Sequence, residues 1–261
     1  SVFMLVTFVG QAFGGWQTDV SAATKKSLPK APSIIGESAI LIEPTTGTII
    51  YEKDPHRKMY PASITKIMTA LLAIENCKMN DTVVYSKKNL DSLTAEDSNI
   101  QCQVGEKMSV KDCLYALMLS SANETATALA EHIAGSSEAF AKLMNERAKQ
   151  AGATDTHFAN PNGLHDDNHY VTAYDMAMIM KAAVQYPVFL DVIHTTEYTI
   201  PANNKRTDPF QSYQRHKMLF TTSPYYDADV IGGKTGYTDQ AGKTLVTYAK
   251  RGNVSLISVV L

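Results

Sequence analysis

The sequence predicts a fold of the α/β class, of α+β type: an antiparallel sheet built from both chain ends, flanked by helices, with a mainly helical insertion. Strand patterns lie near both ends of the chain and helical periodicity fills the middle, and 261 residues with 44% hydrophobic content can bury one large core. The formal net charge of -2 provides no basic field, so we predict no nucleic-acid partner.

The N-terminal segment differs from the rest of the chain. Residues 1–22 contain the short apolar run VFMLVTFV and end at small residues, which is typical of a secretory signal peptide and too short for a membrane span. The alternative, a core strand or helix, is disfavoured by the polar, proline-bearing stretch that follows. Because the chain opens at Ser1 without a basic region, we expect this peptide to be N-terminally incomplete. We expect the mature protein to begin near Ala23, with residues 23–35 as a linker and residues 36–261 as the folded domain.

The first strands and the first helix follow the linker. SAILIEPTTGTIIYEKD predicts two strands around the turn Pro44–Gly47. Apolar residues then recur at helical spacing between Pro61 and Asn76 and predict a helix. These apolar residues are Ile64, Ile67, Met68, Leu71 and Leu72.

The middle of the chain is predicted to be mainly helical. Capping boxes are predicted to start two of the helices, and glycines to end two others. A proline is predicted to end the second of the helices that begin with a capping box. The start signals are Ser109 with Asp112 and Thr172 with Asp175, and the stop signals are Gly135, Gly152 and Pro187. The C-terminal part returns to strands at DVIGGKTGYT, GKTLVTYAK and NVSLISVVL, with a hairpin turn at residues 251–253 between the last two.

Neither the cysteines nor the histidines predict a metal site. The sequence has no C-x-x-C pair among Cys77, Cys102 and Cys113. Because three is an odd number, the cysteines cannot all be paired in disulfides. One disulfide bond is possible, and the sequence does not identify its partners. His165 and His169 would be a metal pair if they lay on a helix, but the surrounding glycine and asparagine residues predict a loop and a structural role.

Three short polar stretches contain candidate catalytic or binding residues, and the first is PASITK. Ser63 and Lys66 are three residues apart at the start of a helix and can share its face. A serine hydroxyl needs a base to act as a nucleophile, and a lysine is a base only when it is neutral. The alternative is that Ser63 caps the helix and Lys66 lies in solvent.

The second and third stretches are SSANETA and GGKTGYT. Ser121 and Asn123 lie between two helical segments, and the alternative is a plain connection in which Asn123 caps the next helix. In GGKTGYT a strand would present Lys234 as a cation and Thr235 as a hydroxyl, while Gly236 would let a ligand approach the backbone. A phosphate-binding P-loop is disfavoured because alanine occupies the position of its first glycine.

In this order the three stretches form the set S-x-x-K, S-x-N and K-T-G, which resembles that of penicillin-binding proteins and serine β-lactamases. EPTTGTIIYEKDPHRKMYPASITKIMTA, ANPNGLHDDNHYVTAYDMAMI and GGKTGYTDQAGKTLV are similar to the D-alanyl-D-alanine carboxypeptidases of the low-molecular-mass group. The resemblance covers Ser38–Leu261. It implies a β-lactamase/transpeptidase-like fold, with residues 36–261 as a penicillin-binding serine peptidase catalytic domain.

The resemblance implies catalytic roles for three residues. Ser63 would be the nucleophile that attacks the carbonyl of the D-Ala-D-Ala bond and forms an acyl-enzyme. Lys66 would be the general base, and Ser121 a proton shuttle to the leaving D-alanine. The position of Ser63 at a helix start adds a favourable dipole there.

The resemblance also implies substrate-binding roles. Asn123 would hold the substrate amide and the catalytic lysine, and Lys234 would supply a positive field that helps to keep that lysine neutral. Thr235 would bind the terminal carboxylate. The backbone N–H groups of Ser63 and Tyr237 would form the oxyanion hole. Family members often have histidine where this chain has Tyr237, so only the backbone role carries over.

These roles imply a serine-type D-Ala-D-Ala carboxypeptidase that acts on the peptidoglycan stem pentapeptide, binds β-lactam inhibitors and needs no cofactor. We expect it to be exported to the cell wall or the outer face of the bacterial cytoplasmic membrane. Family members often continue with a helix, a β-rich second domain and an amphipathic anchor. We therefore expect the domain to be C-terminally truncated at Leu261, and a membrane surface to be a further partner through the missing anchor.

Two alternative functions are open. A class A β-lactamase carries a deacylating glutamate in E-x-x-L-N, and no such stretch lies between Asn123 and Lys234. A non-catalytic penicillin-binding or wall-binding module would be expected to lose Ser63, Lys66 or Lys234, and all three are present. Both alternatives are therefore disfavoured.

Overall fold

The computed structural model describes residues 30–91, 94 and 97–261. The predicted signal peptide and most of the predicted linker lie outside the described residues. Residues Ile35–Leu261 form one compact unit.

Most strands of this unit lie toward its two ends, and most helices lie between them. The strands are β1 (Ala39–Glu43), β2 (Thr48–Lys53), β3 (Thr82–Val84), β4 (Lys107–Ser109), β5 (Glu197–Ile200), β6 (Phe210–Tyr213), β7 (Val230–Thr238), β8 (Gly242–Arg251) and β9 (Val254–Val260). The α-helices are α1 (Lys66–Asn76), α2 (Lys87–Asp91), α3 (Val110–Tyr115), α4 (Asn123–Ala134), α5 (Ser137–Gln150), α6 (Ala173–Ala183) and α7 (Pro187–His194). Shorter helical segments are the 3-10 turns Ala62–Thr65 and Lys217–Leu219 and the π-helical segment Ala116–Ser120.

The main sheet joins the two ends of the chain, as the sequence predicts. Its strand order is β2-β1-β9-β8-β7 and all neighbours are antiparallel. The β1–β2 turn forms locally because the Glu43 carboxylate accepts hydrogen bonds from the backbone N–H groups of Thr45 and Thr46, and Gly47 supplies a left-handed residue with φ 76°. Pairing of Ala39 with Val260 then closes the sheet.

Three of the predicted helix signals, Ser109, Thr172 and Gly135, act where the sequence places them. Ser109 Oγ accepts a hydrogen bond from the backbone N–H of Asp112, and Thr172 Oγ1 accepts one from that of Asp175, each at 3.0 Å. Helix α4 ends at Gly135, whose φ of 78° suits a glycine cap.

Helix α1 lies at the centre of the domain. It packs against α4, α5, α6 and α7, and every residue from Lys66 to Ala73 is buried. A helix that is apolar on all sides is stable only inside a core, and Ile67, Met68 and Leu71 are fully covered. The residue at its first position, Lys66, is therefore carried into the protein interior.

Several elements were not predicted. They are the small sheets β3–β4 and β5–β6 and the helices α2 and α7. The prediction that Pro187 ends the preceding helix is wrong: α6 stops at Ala183, and Pro187 is the first residue of α7, where its missing N–H costs nothing. Cys77, Cys102 and Cys113 are free thiols, so the bridge left open by the sequence is not formed among them.

Within the described part of the chain, no single helix has the length and apolarity to cross a bilayer. The pair α6 and α7 passes that test only when the two are joined across a 111° bend.

Candidate active site

The 3-10 turn at the start of α1 brings Ser63 and Lys66 together. Side chains three residues apart lie on the same side of a 3-10 turn, and Ser63 Oγ is 3.0 Å from Lys66 Nζ. The turn begins at Ala62, a buried residue with φ 52°, which is a strained conformation for a residue that is not glycine. The alternative from the sequence is wrong in both parts, because Ser63 makes no helix cap and Lys66 is fully buried.

Lys66 Nζ has two further partners besides Ser63. It donates to Asn123 Oδ1 and to the backbone carbonyl of Asn162, each at 2.6 Å. A neutral amine has two N–H groups and one lone pair, while a carbonyl oxygen can only accept. The two carbonyl oxygens therefore take both N–H groups of a neutral Lys66 and leave its lone pair for the hydroxyl of Ser63.

Burial lowers the pKa of Lys66 well below its usual value, and the positive charge of Lys234 lowers that pKa further. The buried carboxyl of Glu124 acts in the opposite direction on the pKa of Lys66, and burial raises the pKa of Glu124 itself. The environment thus favours the neutral amine that a general base requires.

Ser121 and Asn123 flank the junction between the π-helical segment and α4. Ser121 has a left-handed backbone with φ 61°, and its Oγ accepts a hydrogen bond from Lys234 Nζ at 3.1 Å. Asn123 is the first residue of α4, but its side chain binds Lys66 rather than capping the helix. The alternative of a plain connection capped by Asn123 is therefore wrong.

Strand β7 contributes the third stretch. Lys234 is 1% exposed, and its Nζ also donates to the carbonyl of Thr235 at 2.8 Å. Burial, followed by the charge of Arg215, lowers the pKa of Lys234 to about 7. The P-loop interpretation, which the sequence disfavours, is wrong, since the Gly-Lys-Thr residues lie inside a paired strand.

Gly236 lies where β7 meets the 3-10 turn. A Cβ at this position would be 2.3 Å from Thr244 Oγ1 and 2.9 Å from the backbone nitrogen of Ser63. The missing side chain thus makes room for the turn as well as for the pocket that Gly236 lines. The next residue, Tyr237, is 62% exposed and donates its hydroxyl to Asp239 at 3.0 Å.

These residues border a cavity of about 730 Å³. Of the predicted site residues, its lining includes Ser63, Ser121, Asn123, Thr235, Gly236 and Tyr237. Lys66 and Lys234 lie beneath this surface and reach it through their contacts with Ser63 and Ser121. The structure therefore brings all three stretches to one place.

Arg215 is a pocket residue that the sequence did not indicate. It lines the cavity and donates from Nη1 to Ser98 Oγ at 2.9 Å. Its charge also lowers the pKa values of Lys66 and Lys234. Arg215 belongs to none of the three motifs and lies in a loop after β6, so only the tertiary fold reveals it.

The loop that holds the Asn162 carbonyl was also missed. Asn160 Oδ1 accepts from the N–H of Gly163 at 2.8 Å, and Asn162 Oδ1 accepts from that of Leu164 at 2.9 Å, which fixes a tight turn. The acceptor that this loop presents to Lys66 is a backbone oxygen, which any residue type could supply.

His169 anchors the same loop to the 3-10 turn. Its Nδ1 accepts from the N–H of Ala159 at 3.2 Å, so its Nε2–H faces Thr65 Oγ1 at 2.9 Å. Burial lowers the pKa of His169 to about 3, which keeps the ring neutral. The predicted loop and structural role are confirmed for His169, while His165 borders the cavity.

Gly163→Ala is expected to damage this arrangement. Gly163 has φ 87°, and a Cβ there would lie 1.9 Å from the Ala62 carbonyl oxygen, so the loop must move away from the turn and from Lys66. We expect lower thermal stability and slower acylation by a β-lactam. Gly152→Ala is the matched control, since Gly152 has the same φ and no atom within 4 Å of the added Cβ. Equal losses in the two variants would show that backbone strain alone is responsible.

Comparison with known proteins places these features in a family. Residues 24–261 match the sequence model described as D-alanyl-D-alanine carboxypeptidase, peptidase S11. The D-alanyl-D-alanine carboxypeptidase DacF of Bacillus subtilis (strain 168) is 36% identical over 265 residues, 98% of this chain and 63% of that protein. DacC of Escherichia coli (strain K12), with the same descriptive name, is 33% identical over 89% of this chain and 58% of that protein. The chain spans about three fifths of the length of these relatives.

Solved structures agree with the sequence match. The D-alanyl-D-alanine carboxypeptidase from Mycobacterium tuberculosis H37Rv superimposes with a TM-score of 0.80 and 28% identity, over 90% of this chain and 85% of that one. The Streptomyces K15 DD-transpeptidase gives 0.81 and 29%, over 88% and 90%. The predicted fold class is therefore confirmed.

Proposed function

This chain belongs to the D-alanyl-D-alanine carboxypeptidase family, and from that premise we propose that it is a serine-type D-Ala-D-Ala carboxypeptidase. It removes the terminal D-alanine from peptidoglycan stem peptides through an acyl-enzyme on Ser63. The proposal is carried by one observation: Ser63 Oγ lies 3.0 Å from the amine of a fully buried lysine whose other two partners are carbonyl oxygens. In its neutral form that amine has both N–H groups taken by the two carbonyl oxygens, so its lone pair can accept the proton of Ser63.

The proposed reaction starts when Lys66 takes the Ser63 hydroxyl proton while Oγ bonds to the carbonyl carbon of the penultimate D-alanine. The backbone N–H groups of Ser63 and Tyr237 stabilise the oxyanion. Their adjacency is supported by the close approach of Gly236 to the Ser63 nitrogen. The C–N bond then breaks, and the leaving nitrogen receives the proton through Ser121. Water subsequently hydrolyses the ester and restores the Ser63 hydroxyl.

Substrate binding is assigned to the rest of the cavity. Asn123 holds the peptide amide, and Thr235 binds the terminal carboxylate beside the cations of Lys234 and Arg215. The two cations support this assignment, because a desolvated carboxylate requires charged or hydrogen-bonding partners. The acids among the described lining residues are Asp97 and Asp239, and each is held by a neighbour, Thr94 and Tyr237 respectively.

The direct test is incubation with a pentapeptide that ends in D-Ala-D-Ala, followed by an assay for free D-alanine. We expect one D-alanine to be released per peptide, and none to be released by the Ser63→Ala variant. Acylation by penicillin without release of D-alanine would favour the non-catalytic penicillin-binding module instead. Rapid turnover of penicillin would favour a β-lactamase.

Affinity for a carboxylate ligand is expected to fall as the pH rises above about 7, the pKa of Lys234. Below that pH Lys234 is charged and attracts the carboxylate, and above it the amine is neutral. The inhibition constant of an N-acyl-D-alanine product, measured on both sides of this pH, tests the effect. Lys234→Arg should flatten the profile because guanidinium stays charged. An unchanged slope in that variant would contradict the assignment.

We also propose that the protein is exported and acts in the cell wall or at the outer face of the cytoplasmic membrane. The predicted signal peptide supports this, and a stem-peptide substrate would be met outside the cytoplasm. A membrane anchor beyond Leu261 stays an expectation from the family resemblance. N-terminal sequencing of secreted protein is expected to begin near Ala23, and a cytoplasmic protein with residues 1–22 intact would contradict the proposal.

A further inference from the structure

Three different metal-binding atoms meet at the end of α1 that is farther from Ser63. They are Cys77 Sγ, a carboxylate oxygen of Asp81 and a ring nitrogen of His132, and all lie within 4.8 Å of one another. With a rise of about 1.5 Å per residue, the 11 residues of α1 separate this cluster from the active site by roughly 16 Å along the helix. The cluster is therefore separate from the site already described.

The cluster is formed by the ends of two helices. Cys77 directly follows α1, whereas His132 lies in the last turn of α4. The C-terminal end of a helix carries partial negative charge, so two such ends favour a cation between them. Asp81 is held in the loop after α1, because its Oδ2 accepts from the N–H of Lys78 at 2.8 Å and its carbonyl accepts from that of Val110 at 2.9 Å.

The donor set selects the kind of cation. Sulfur, imidazole nitrogen and one carboxylate oxygen are ligands that suit zinc, whereas calcium and magnesium prefer oxygen alone. Three protein ligands leave a fourth tetrahedral position for water. The ring of His132 makes no hydrogen bond or ion pair within the described part of the chain, so its nitrogens are available. The other two thiols, Cys102 and Cys113, are buried and are not part of the cluster.

We propose that Cys77, Asp81 and His132 bind a zinc ion that joins the C-terminal ends of α1 and α4. The same two helices carry Lys66 and Asn123 at their N-terminal ends. The ion would therefore fix the relative position of two helices whose other ends meet at the Lys66–Asn123 hydrogen bond. It would be structural and would take no part in acyl transfer.

This site could not be predicted from the sequence. Cys77 and Asp81 are four residues apart, and His132 follows more than 50 residues later, a spacing that matches no common zinc motif. Only the packing of α1 against α4 brings the three residues together.

Cobalt(II) is a suitable spectroscopic probe of the site, because a cysteine thiolate bound to it gives a charge-transfer band in the near ultraviolet. Titration of the metal-free protein is expected to reach an end point at one equivalent of Co²⁺. Cys77→Ser and His132→Ala should abolish saturable binding, and Asp81→Asn should weaken it about tenfold or more. Asparagine can still accept the Lys78 N–H, so the loop is retained. His56→Ala, at a histidine outside the cluster, should bind as the parent protein does.

Zinc should also raise the midpoint of thermal unfolding of the parent protein in a concentration-dependent way, since a ligand of the native state stabilises it. The same zinc should not stabilise Cys77→Ser. Two results would overturn the proposal. One is the absence of the charge-transfer band in the parent protein. The other is an undiminished band in His132→Ala, which would mean that a lone thiol binds the metal. Both measurements are independent of carboxypeptidase activity.

Discussion

Ser63→Ala is expected to abolish the covalent penicillin adduct that the parent protein forms. In the proposed reaction Ser63 Oγ is the atom that becomes acylated, and alanine has no atom to replace it. Release of D-alanine from a pentapeptide should fall on the order of 10⁴-fold or more, the scale seen when the nucleophile of a catalytic unit is removed. Intact-mass measurement after incubation with penicillin reads out the adduct directly.

The fold should survive this substitution. Ser63 is only half-buried, and Lys66 keeps its hydrogen bonds to Asn123 and Asn162. Ser98→Ala is a matched control, because it removes a hydroxyl from the same cavity, where Ser98 accepts from Arg215. That variant should still form the adduct. A persistent adduct on Ser63→Ala, or loss of the adduct in Ser98→Ala, would contradict the assignment of Ser63 as the nucleophile.

The parent adduct is also expected to persist, because no deacylating E-x-x-L-N stretch lies between Asn123 and Lys234. A time course of the adduct mass after removal of free penicillin measures this. Fast recovery of the unmodified mass would instead support the β-lactamase alternative.

Much of the fold could be predicted because its signals are local. Alternating apolar residues around a turn produce β1 and β2, and the side chains of Ser109 and Thr172 cap their helices through bonds that span three residues. The short strands of β3–β4 and β5–β6 have only three or four residues each, too few for a period of two to stand out. Pro187 was misplaced because proline is compatible both with the end of one helix and with the first turn of the next.

Some residues of the candidate site could likewise be predicted from the sequence, and others could not. Its motif residues have distinctive types at fixed spacing, and the fold places them around one cavity, although their roles stay proposals. Arg215 could not be found, because a single arginine in a loop has no periodic or motif context. The Asn162 carbonyl could not be found either, since a backbone oxygen has no residue-type signature. Cys77, Asp81 and His132 depend on the contact between two helices, which is a non-local property of the chain.

Lys66→Arg is expected to slow the acylation of Ser63 by about 10² to 10⁴-fold, the usual contribution of a general base. The substitution keeps a cation but removes basicity, since guanidinium does not deprotonate in proteins. In the parent protein, burial and then the charge of Lys234 lower the pKa of Lys66 well below its usual value, which favours the neutral amine that a base requires. Arginine in the same place would present N–H donors to Ser63 and no lone pair.

Lys234→Arg is the matched comparison, because it makes the same chemical change at a second buried lysine. In the proposed reaction Lys234 acts as a cation beside the carboxylate, so arginine should preserve that role and slow acylation much less. Acylation rate constants with a reporter β-lactam compare the two variants, and their thermal midpoints establish that both are folded. Lys66→Gln is a further comparison, because glutamine is neutral and not basic. This variant should be acylated as slowly as Lys66→Arg. If folded Lys66→Arg acylates as fast as the parent protein, Lys66 is not the base, and that role passes to Ser121 with Lys234, which lie 3.1 Å apart.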